Sequence, residues 1–427
     1  MDGRWTGCFL SAGDCLGETM KGGTGMSAED AGRRAFLKNA ASGVLGSAGV
    51  MAGLSGMAFA AGPGDVGVIH EVVDQEAEAA PKYSIKFSVC GMSHDHIYGM
   101  VGAMQRGGGV LVSAYGAEPE KVAAFTKKFP EVKMVRSEEE ILGDPSVQLV
   151  LTSARNVDRA PLGVRVMKRG KDFLTDKPGI TTLEQLAEVR KTVAETNRIY
   201  GILYSELLEV KAAVKAGQLV QAGAIGRVIQ TVNIAPHQIN QAGGTGGGAG
   251  GRPDWFWDPA LYGGILCDIG SHQANQFLYY TGSKEAEVVA SQVSNVNHPE
   301  HPKFQDFGDM MLRGDRGFGY VRVDWFTPKG LGTWGDGRLF ILGTEGYIEL
   351  RKYADIAGRK GGDHLFIVDQ KQARYMDCSN VALPFGPQFV SDIVNRTHTA
   401  QDQAQALLTA EIVIKAQAKA TNVQLKA

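Results

Sequence analysis

Tyr83-Ser84-Ile85-Lys86-Phe87-Ser88-Val89-Cys90-Gly91-Met92-Ser93-His94-Asp95-His96 sets the grammar of the chain. Ile85, Phe87 and Val89 alternate with other residues, so Tyr83–Cys90 reads as a strand running straight into a glycine turn. Working outward, the pattern repeats. Ile97–Gln105 has helical spacing, Val110–Tyr115 is a second strand, and Pro119–Phe129 is a helix with Pro in its first turn. Ser137 and Glu140 form a capping box ahead of Ile141-Leu142; Val147–Thr152 is a buried strand, Arg159–Arg169 a helix and Lys171–Thr175 a further strand. Leu183–Thr196, capped from Thr181 or Thr182, and the strand Ile199–Tyr204 close the series. Strands that alternate with helices this regularly need a parallel sheet covered on both faces. Residues 83–204 are therefore expected to form a doubly wound α/β domain of Rossmann type.

After Tyr204 the pattern changes. A helix over Leu207–Ala222 leads through Gly223-Ala224-Ile225-Gly226 to the strand Arg227–Ile234 and the glycine-rich loop Gly243–Gly251. The strands Val288–Ser294, Gly308–Leu312, Phe318–Phe326, Arg338–Leu342, Tyr347–Arg351 and Leu365–Val368 then follow without intervening helices, parted by turns such as Asp315-Arg316-Gly317. Helices over Gln388–Arg396 and Ala404–Ala418 finish the chain. Residues 205–427 are expected to be an α+β domain with a large open, mostly antiparallel sheet.

The N-terminus carries a different signal. Arg33-Arg34-Ala35-Phe36-Leu37-Lys38 precedes an uncharged Ala/Gly/Val stretch that ends in Ala58-Phe59-Ala60, the layout of an export signal with a small-residue cleavage site. It resembles a twin-arginine signal, with Met26 as a candidate start, so residues 1–61 are expected to be removed on export to the periplasm or beyond. Glycines at 43, 46, 49, 53 and 56 make the stretch too weakly apolar for a stable membrane span. Residues 62–82, acidic and aperiodic, read as a linker. With 427 residues, a net charge of −2 and 21% charged residues, the chain has room for two cores but no broad positive surface for nucleic acid. Cys90, Cys267 and Cys378 of the mature chain show neither a CxxC pair nor zinc-ligand spacing.

Chemistry concentrates in three places. Cys90-Gly91-Met92-Ser93-His94-Asp95-His96 stands where a dinucleotide-binding turn shows G-x-G-x-x-G, and only Gly91 of the three glycines is present. Ser93 is small enough to sit beside a phosphate. The second strand ends in Tyr115-Gly116-Ala117-Glu118, so Glu118 is the available anchor for a ribose, and NAD and NADP both stay open. His94 and His96 make an H-x-H pair with no further ligand spaced to match, and no metal site is expected. Lys177 ends a parallel strand, where open α/β sheets bind ligands. Asp268 and His272 are four residues apart, so on a helix they share a face on which the carboxylate can orient the imidazole. A carbinol oxidation needs such groups, a base for the hydroxyl proton and a cation to polarise the forming carbonyl.

Two motifs carry a resemblance. Thr175-Asp176-Lys177-Pro178-Gly179 is similar to the Glu-Lys-Pro motif of the Gfo/Idh/MocA oxidoreductases, with Asp for Glu. Gly263-Gly264-Ile265-Leu266-Cys267-Asp268-Ile269-Gly270-Ser271-His272 resembles that family's Gly-Gly-x-x-x-Asp-x-Gly-x-His. With Gly223–Val228 the similarity extends over nearly all of Tyr83 to Ala427.

The resemblance implies a nicotinamide-dependent oxidoreductase acting on a carbohydrate or cyclitol CH–OH group. Lys177 and His272 would be its catalytic pair, with Asp268 as partner or substrate ligand. It implies NAD or NADP held by Gly91, Met92, Ser93, His94, Glu118, Ser153, Asn156, Asp176 and Lys177. His237, Arg252, Asp254 and Trp255, which flank the glycine-rich loop, are the candidates for sugar binding, and a homo-oligomer is expected. An exported chain has no free nicotinamide pool around it, so a retained cofactor in a redox-balanced cycle is expected. An NAD-dependent glycosidase and a non-catalytic sugar-binding protein are the alternatives.

Overall fold

The computed structural model describes residues 67–76, 80–239 and 252–425. The stretch expected to be an export signal and the whole glycine-rich loop Gly243–Gly251 lie outside them. Strand β1 (Val68–Val72) comes first, inside the stretch expected to be a linker. It pairs in parallel with a strand from the far end of the chain, and Val73 behind it is buried in the second domain's core. The polar residues around it and its exposed face hid this strand, because an edge strand needs only its backbone groups and a few apolar contacts.

The first domain is a parallel sheet of six strands: β2 (Ile85–Cys90), β3 (Gly109–Tyr115), β4 (Lys133–Met134), β5 (Leu149–Thr152), β6 (Asp172–Asp176) and β7 (Tyr200–Leu203). Their spatial order is β4-β3-β2-β5-β6-β7, so the chain reverses direction beside β2, where β5 pairs on its other edge. Between them run α1 (His96–Arg106), α2 (Pro119–Lys128), α3 (Glu138–Gly143), α4 (Asn156–Lys168) and α5 (Leu183–Thr196). Both faces of the sheet are covered: Leu149 and Leu151 of β5 join a cluster with Met100 and Met104, whereas Val150 joins Val166 and Leu186. That is why the central strands read as unbroken apolar runs rather than alternating ones. Thr182 caps α5 by accepting the Gln185 amide. The expected box at Ser137 forms differently, since Glu140 accepts the Arg136 amide at 2.9 Å and the Ser137 side chain caps nothing.

The second domain begins with the helix expected over Leu207–Ala222, which is broken into α6 (Ser205–Leu208) and α7 (Lys211–Gln221). Then come β8 (Val228–Pro236), α8 (Pro259–Tyr262), α9 (Ile265–Asp268), α10 (Gly270–Thr281), β9 (Ala286–Ser294), β10 (Phe307–Gly314) and β11 (Phe318–Asp324). β12 (Arg338–Gly343), β13 (Gly346–Arg351), β14 (His364–Asp369), β15 (Ala373–Asp377), α11 (Phe385–Asn395), α12 (Gln403–Lys419) and β16 (Thr421–Asn422) complete it. The sheet has ten strands in the order β1-β15-β14-β13-β12-β8-β11-β10-β9-β16. It is mostly antiparallel, with parallel pairs at β1/β15, β11/β8 and β16/β9. Helices α10 and α12 cover one face. Helix α11 instead packs on α1, its Phe385, Phe389 and Val390 completing the core of the first sheet.

Candidate active site

The glycine turn after β2 is fixed by its surroundings. Gly91 has φ +90°, and a Cβ there would lie 2.7 Å from the Ala154 Cβ and 2.9 Å from Thr152 Oγ1. Its amide donates to the Tyr115 carbonyl at 2.9 Å, and its carbonyl accepts from Ser153 at 3.1 Å. The turn opens on a cavity of about 570 Å³ bounded by Gly91, Ser93, Tyr115, Glu118, Arg155, Arg165 and Trp255. Ser93 Oγ donates to Glu118 at 2.5 Å across it. The residues present fit a dinucleotide: glycine leaves room for close approach, a hydroxyl and two arginines face the space, and Glu118 stands where a ribose is anchored.

Other residues expected at the cofactor have different duties. Met92 is buried beneath Gly116 in the core. Ser153 is fully buried and its hydroxyl donates to the His94 carbonyl at 2.6 Å, so it knits the loop. His94 and His96 turn toward Asp176 at the end of β6: His96 Nδ1 lies 2.9 Å from Oδ1, and His94 Nδ1 lies 3.6 Å from Oδ2. Burial would raise the Asp176 carboxyl, but His96 and Arg159 beside it hold it well below the usual range.

Lys177 follows Asp176 and is buried. Its ammonium donates to Asp268 Oδ1 at 2.8 Å. Asn156, at the start of α4, donates to the Tyr262 carbonyl at 2.8 Å and reaches the same Asp268 oxygen at 3.4 Å. Burial pushes the Asp268 carboxyl up, yet Lys177 and Arg159 outweigh it and the net shift is downward. Arg159, unnoticed in the sequence, is fully buried and donates to the carbonyls of Ala154, Asp176 and Lys177, with Nη2 3.1 Å from Asp176 Oδ2. Gly264 opens α9 at φ +83°, and a Cβ there would lie 2.2 Å from the Gln417 side chain. That contact explains Gly264, and Gly263, at φ +91°, would set a Cβ 2.9 Å from Thr181 Cγ2.

The expected pairing of Asp268 with His272 does not form. The two fall on separate helices, α9 and α10, and Asp268 spends its charge on Lys177. Among the described residues the His272 ring makes no hydrogen bond, and its Nδ1 is buried without a partner. Burial pulls its pKa down to about 3, against the opposing pull of Glu206. Glu206 is the carboxylate the sequence did not reveal. It is buried on α6 and bound to Lys352 at 2.7 Å and Gln273 at 3.1 Å, while Gln276 joins Lys352 at 2.9 Å. Despite burial, Lys352 holds the Glu206 pKa at about 2.

The sugar candidates separate. His237 stands edge-on to Trp325 and Trp334, with ring centroids 5.4 and 4.7 Å away, and burial lowers its pKa to about 4. Arg252 lies over Phe256 and Trp325, and burial lowers its pKa to about 10. His237 also feels Lys177, Asp268 and Glu206, so it belongs to the same cleft. Trp255 instead walls the cavity of the glycine turn. Asp254 is exposed, and no hydrogen bond or ion pair among the described residues ties it to the cleft.

Comparison with known proteins agrees with this layout. Residues 85–204 match the oxidoreductase family with an NAD-binding Rossmann fold, and residues 213–349 match the GFO/IDH/MocA C-terminal domain. A protein of solved structure from Erwinia carotovora atroseptica, described as an oxidoreductase, is 44% identical, with a TM-score of 0.76 over 80% of this chain and 100% of its own. Levoglucosan dehydrogenase, solved with NADH and levoglucosan, aligns with a TM-score of 0.63 over 79% of this chain and 98% of its own; at 17% identity the likeness is one of fold. The 1,5-anhydro-D-fructose reductase of Ensifer adhaerens is 28% identical over 45% of this chain and 55% of its own length. D-xylose dehydrogenase of Paenarthrobacter nicotinovorans is 22% identical over 37% of this chain and 39% of its own. The chain thus spans about half the length, or less, of these two curated relatives.

Proposed function

Because the chain belongs to the GFO/IDH/MocA family of NAD-binding oxidoreductases, we propose that it oxidises or reduces a CH–OH carbon of a carbohydrate or cyclitol. One observation carries the reading. At the carboxyl ends of the parallel strands, Lys177 is locked to Asp268 at 2.8 Å beside a neutral histidine that has no partner of its own. The 1,5-anhydro-D-fructose reductase and D-xylose dehydrogenase relatives supply the substrate class.

NAD or NADP, which Gly91, Ser93 and Glu118 would hold at the glycine turn, would supply the hydride acceptor or donor when bound. Everything else is the work of this chain. Asp268 holds Lys177 in one rotamer, and the ammonium has donors left to bind the oxygen of the reacting hydroxyl or carbonyl. His272 offers a neutral imidazole to take that hydroxyl's proton during oxidation and to return it during reduction. His237, Arg252, Trp325 and Trp334 give the cleft an aromatic wall with two polar tips, the chemistry that holds a sugar ring.

We also read Arg33-Arg34 and the following uncharged stretch as a twin-arginine signal for export, on sequence alone. Outside the cytoplasm the cofactor has to be retained and each turnover has to return it to its starting state. A homo-oligomer is in keeping with Met311 and Phe318, which are exposed on the large sheet.

Denaturing the purified protein and analysing the supernatant tests the central reading. Release of NAD(H) or NADP(H) is expected. Absence of any dinucleotide, together with no reduced-nicotinamide absorbance on adding NAD or NADP with a panel of sugars and cyclitols, overturns it.

A further inference from the structure

We propose that His94, His96 and Asp176 form a binding site for a divalent transition-metal ion, Zn²⁺ by the chemistry of its donors. Two imidazoles and a carboxylate are the ligand types that this ion takes. Strand β6 brings the carboxylate to a histidine pair that stands eighty residues earlier, and the donor atoms of all three lie within 4.8 Å of one another. A tetrahedral ion with ligands at about 2.1 Å sets its donors roughly 3.4 Å apart. His96 Nδ1 lies 2.9 Å from Asp176 Oδ1, in a hydrogen bond that an arriving ion would replace, and His94 Nδ1 lies 3.6 Å from Asp176 Oδ2 while accepting the His96 amide at 3.3 Å, so small ring rotations would turn both imidazoles onto a shared ion.

A second observation is independent of this spacing. Asp176 is 2% exposed, and its Oδ2 is buried with no hydrogen bond of good geometry, although Arg159 Nη2 is 3.1 Å away. A buried carboxylate oxygen left in that condition calls for a further partner. The supports around the triad are built as metal sites build them. Ser153 holds the His94 backbone from both sides, and Arg159 clamps the Asp176 carbonyl, fixing where its carboxylate points. Arg159 and Lys177 are balanced by Asp176 and Asp268, so an arriving cation does not meet a net positive wall.

There is also a way in. His96 and Asp176 form part of the wall of a cavity of about 460 Å³ that Asp95, Ser205 and Glu209 also line. Three protein ligands leave a fourth position for water or a substrate oxygen, which marks a working site rather than a closed structural one. The site adjoins Lys177, so an ion held there adds a second positive centre beside the group that polarises the reacting oxygen. Any effect on turnover rests on the proposed oxidoreductase reading, whereas binding of the ion does not.

The test uses the full mature chain, stripped with a chelator and titrated with Co²⁺ and then Zn²⁺. One equivalent of Co²⁺ with visible d–d bands is expected. His96→Ala and His94→Ala should weaken binding at least about 100-fold, whereas His298→Ala leaves it unchanged. X-ray absorption of the Zn²⁺-loaded wild type should show two imidazoles, a readout that needs no variant to fold. No stoichiometric Co²⁺ uptake, a Zn²⁺ spectrum without imidazole scattering, or histidine variants that bind as tightly as wild type would each overturn the proposal. Activity against sugars with and without Zn²⁺ is measured separately, so failure of the catalytic reading leaves the binding result standing.

Discussion

Replacing Lys352 by Met removes the cation that faces Glu206 without changing the shape of the site much. Both residues are 2% exposed and their charged atoms are 2.7 Å apart. At an effective dielectric of about 20 the bare attraction is about 6 kcal/mol, and desolvation takes back much of it. The net is better read from Glu206, whose carboxyl moves from an ordinary 4.5 to about 2, worth about 3 kcal/mol. A folded-state pKa below the unfolded one stabilises above pH 4.5 and loses that stabilisation as pH falls toward 2. Lys352→Met is therefore expected to lose about 3 kcal/mol in urea unfolding at pH 7, in line with the cost of breaking a buried pair. The gap to wild type should begin to narrow above pH 4.5, because burial raises the pKa of the stranded carboxylate, and narrow further as the wild-type Glu206 takes up its proton between 4.5 and about 2. The double variant Lys352→Met/Glu206→Gln should recover most of the loss. A deficit under about 1 kcal/mol at pH 7, or one that stays constant down to pH 3, would refute the argument that this pair is a buried, mutually dependent unit.

The remaining predictions concern the cleft and the turn. Lys177→Met should lower kcat by about 100- to 10,000-fold while dinucleotide affinity, read by fluorescence titration, stays within a few-fold. For oxidation, His272 is active in its neutral form and its pKa lies at about 3, so kcat/KM should hold no limb near pH 6.5 and fall only as the medium approaches that lower value. A His272→Asn variant that keeps wild-type turnover would remove it from the chemistry. Gly91→Ala places a methyl group against Ala154 at positive φ, and should cost about 1–3 kcal/mol in thermal or urea unfolding together with most of the dinucleotide affinity.

The doubly wound domain was legible because each central strand is buried on both faces and each helix shows its period. Leu149, Val150 and Leu151 announce a strand with no solvent side, and Thr182 announces the start of α5. Lys177 and Asp268 were legible as residues, since each stands in a short motif at a chain reversal. What stayed hidden was partnership across the sequence. Asp268 and His272 look like a pair at a spacing of four, but a break between α9 and α10 sends the carboxylate to Lys177 instead. Glu206 and Lys352 lie 146 residues apart and carry no local mark of their meeting, and His96 and Asp176 lie 80 apart. Edge strand β1 was missed for a different reason: three of its five residues are apolar, but it lacks a buried face of its own.

Strand β1 also bears on the order in which the molecule is made. It pairs with β15, and Val73 accepts a hydrogen bond from Asn380, 307 residues away. The segment that carries the putting-together of the sheet's edge is thus among the first to leave the ribosome and among the last to find its place. Until β15 emerges, the N-terminal end has nothing to dock against, and long-range closure of this kind is slow. Docking of β1 on β15 is therefore a late step, and the large sheet is complete at this edge only when the two ends of the described chain have met.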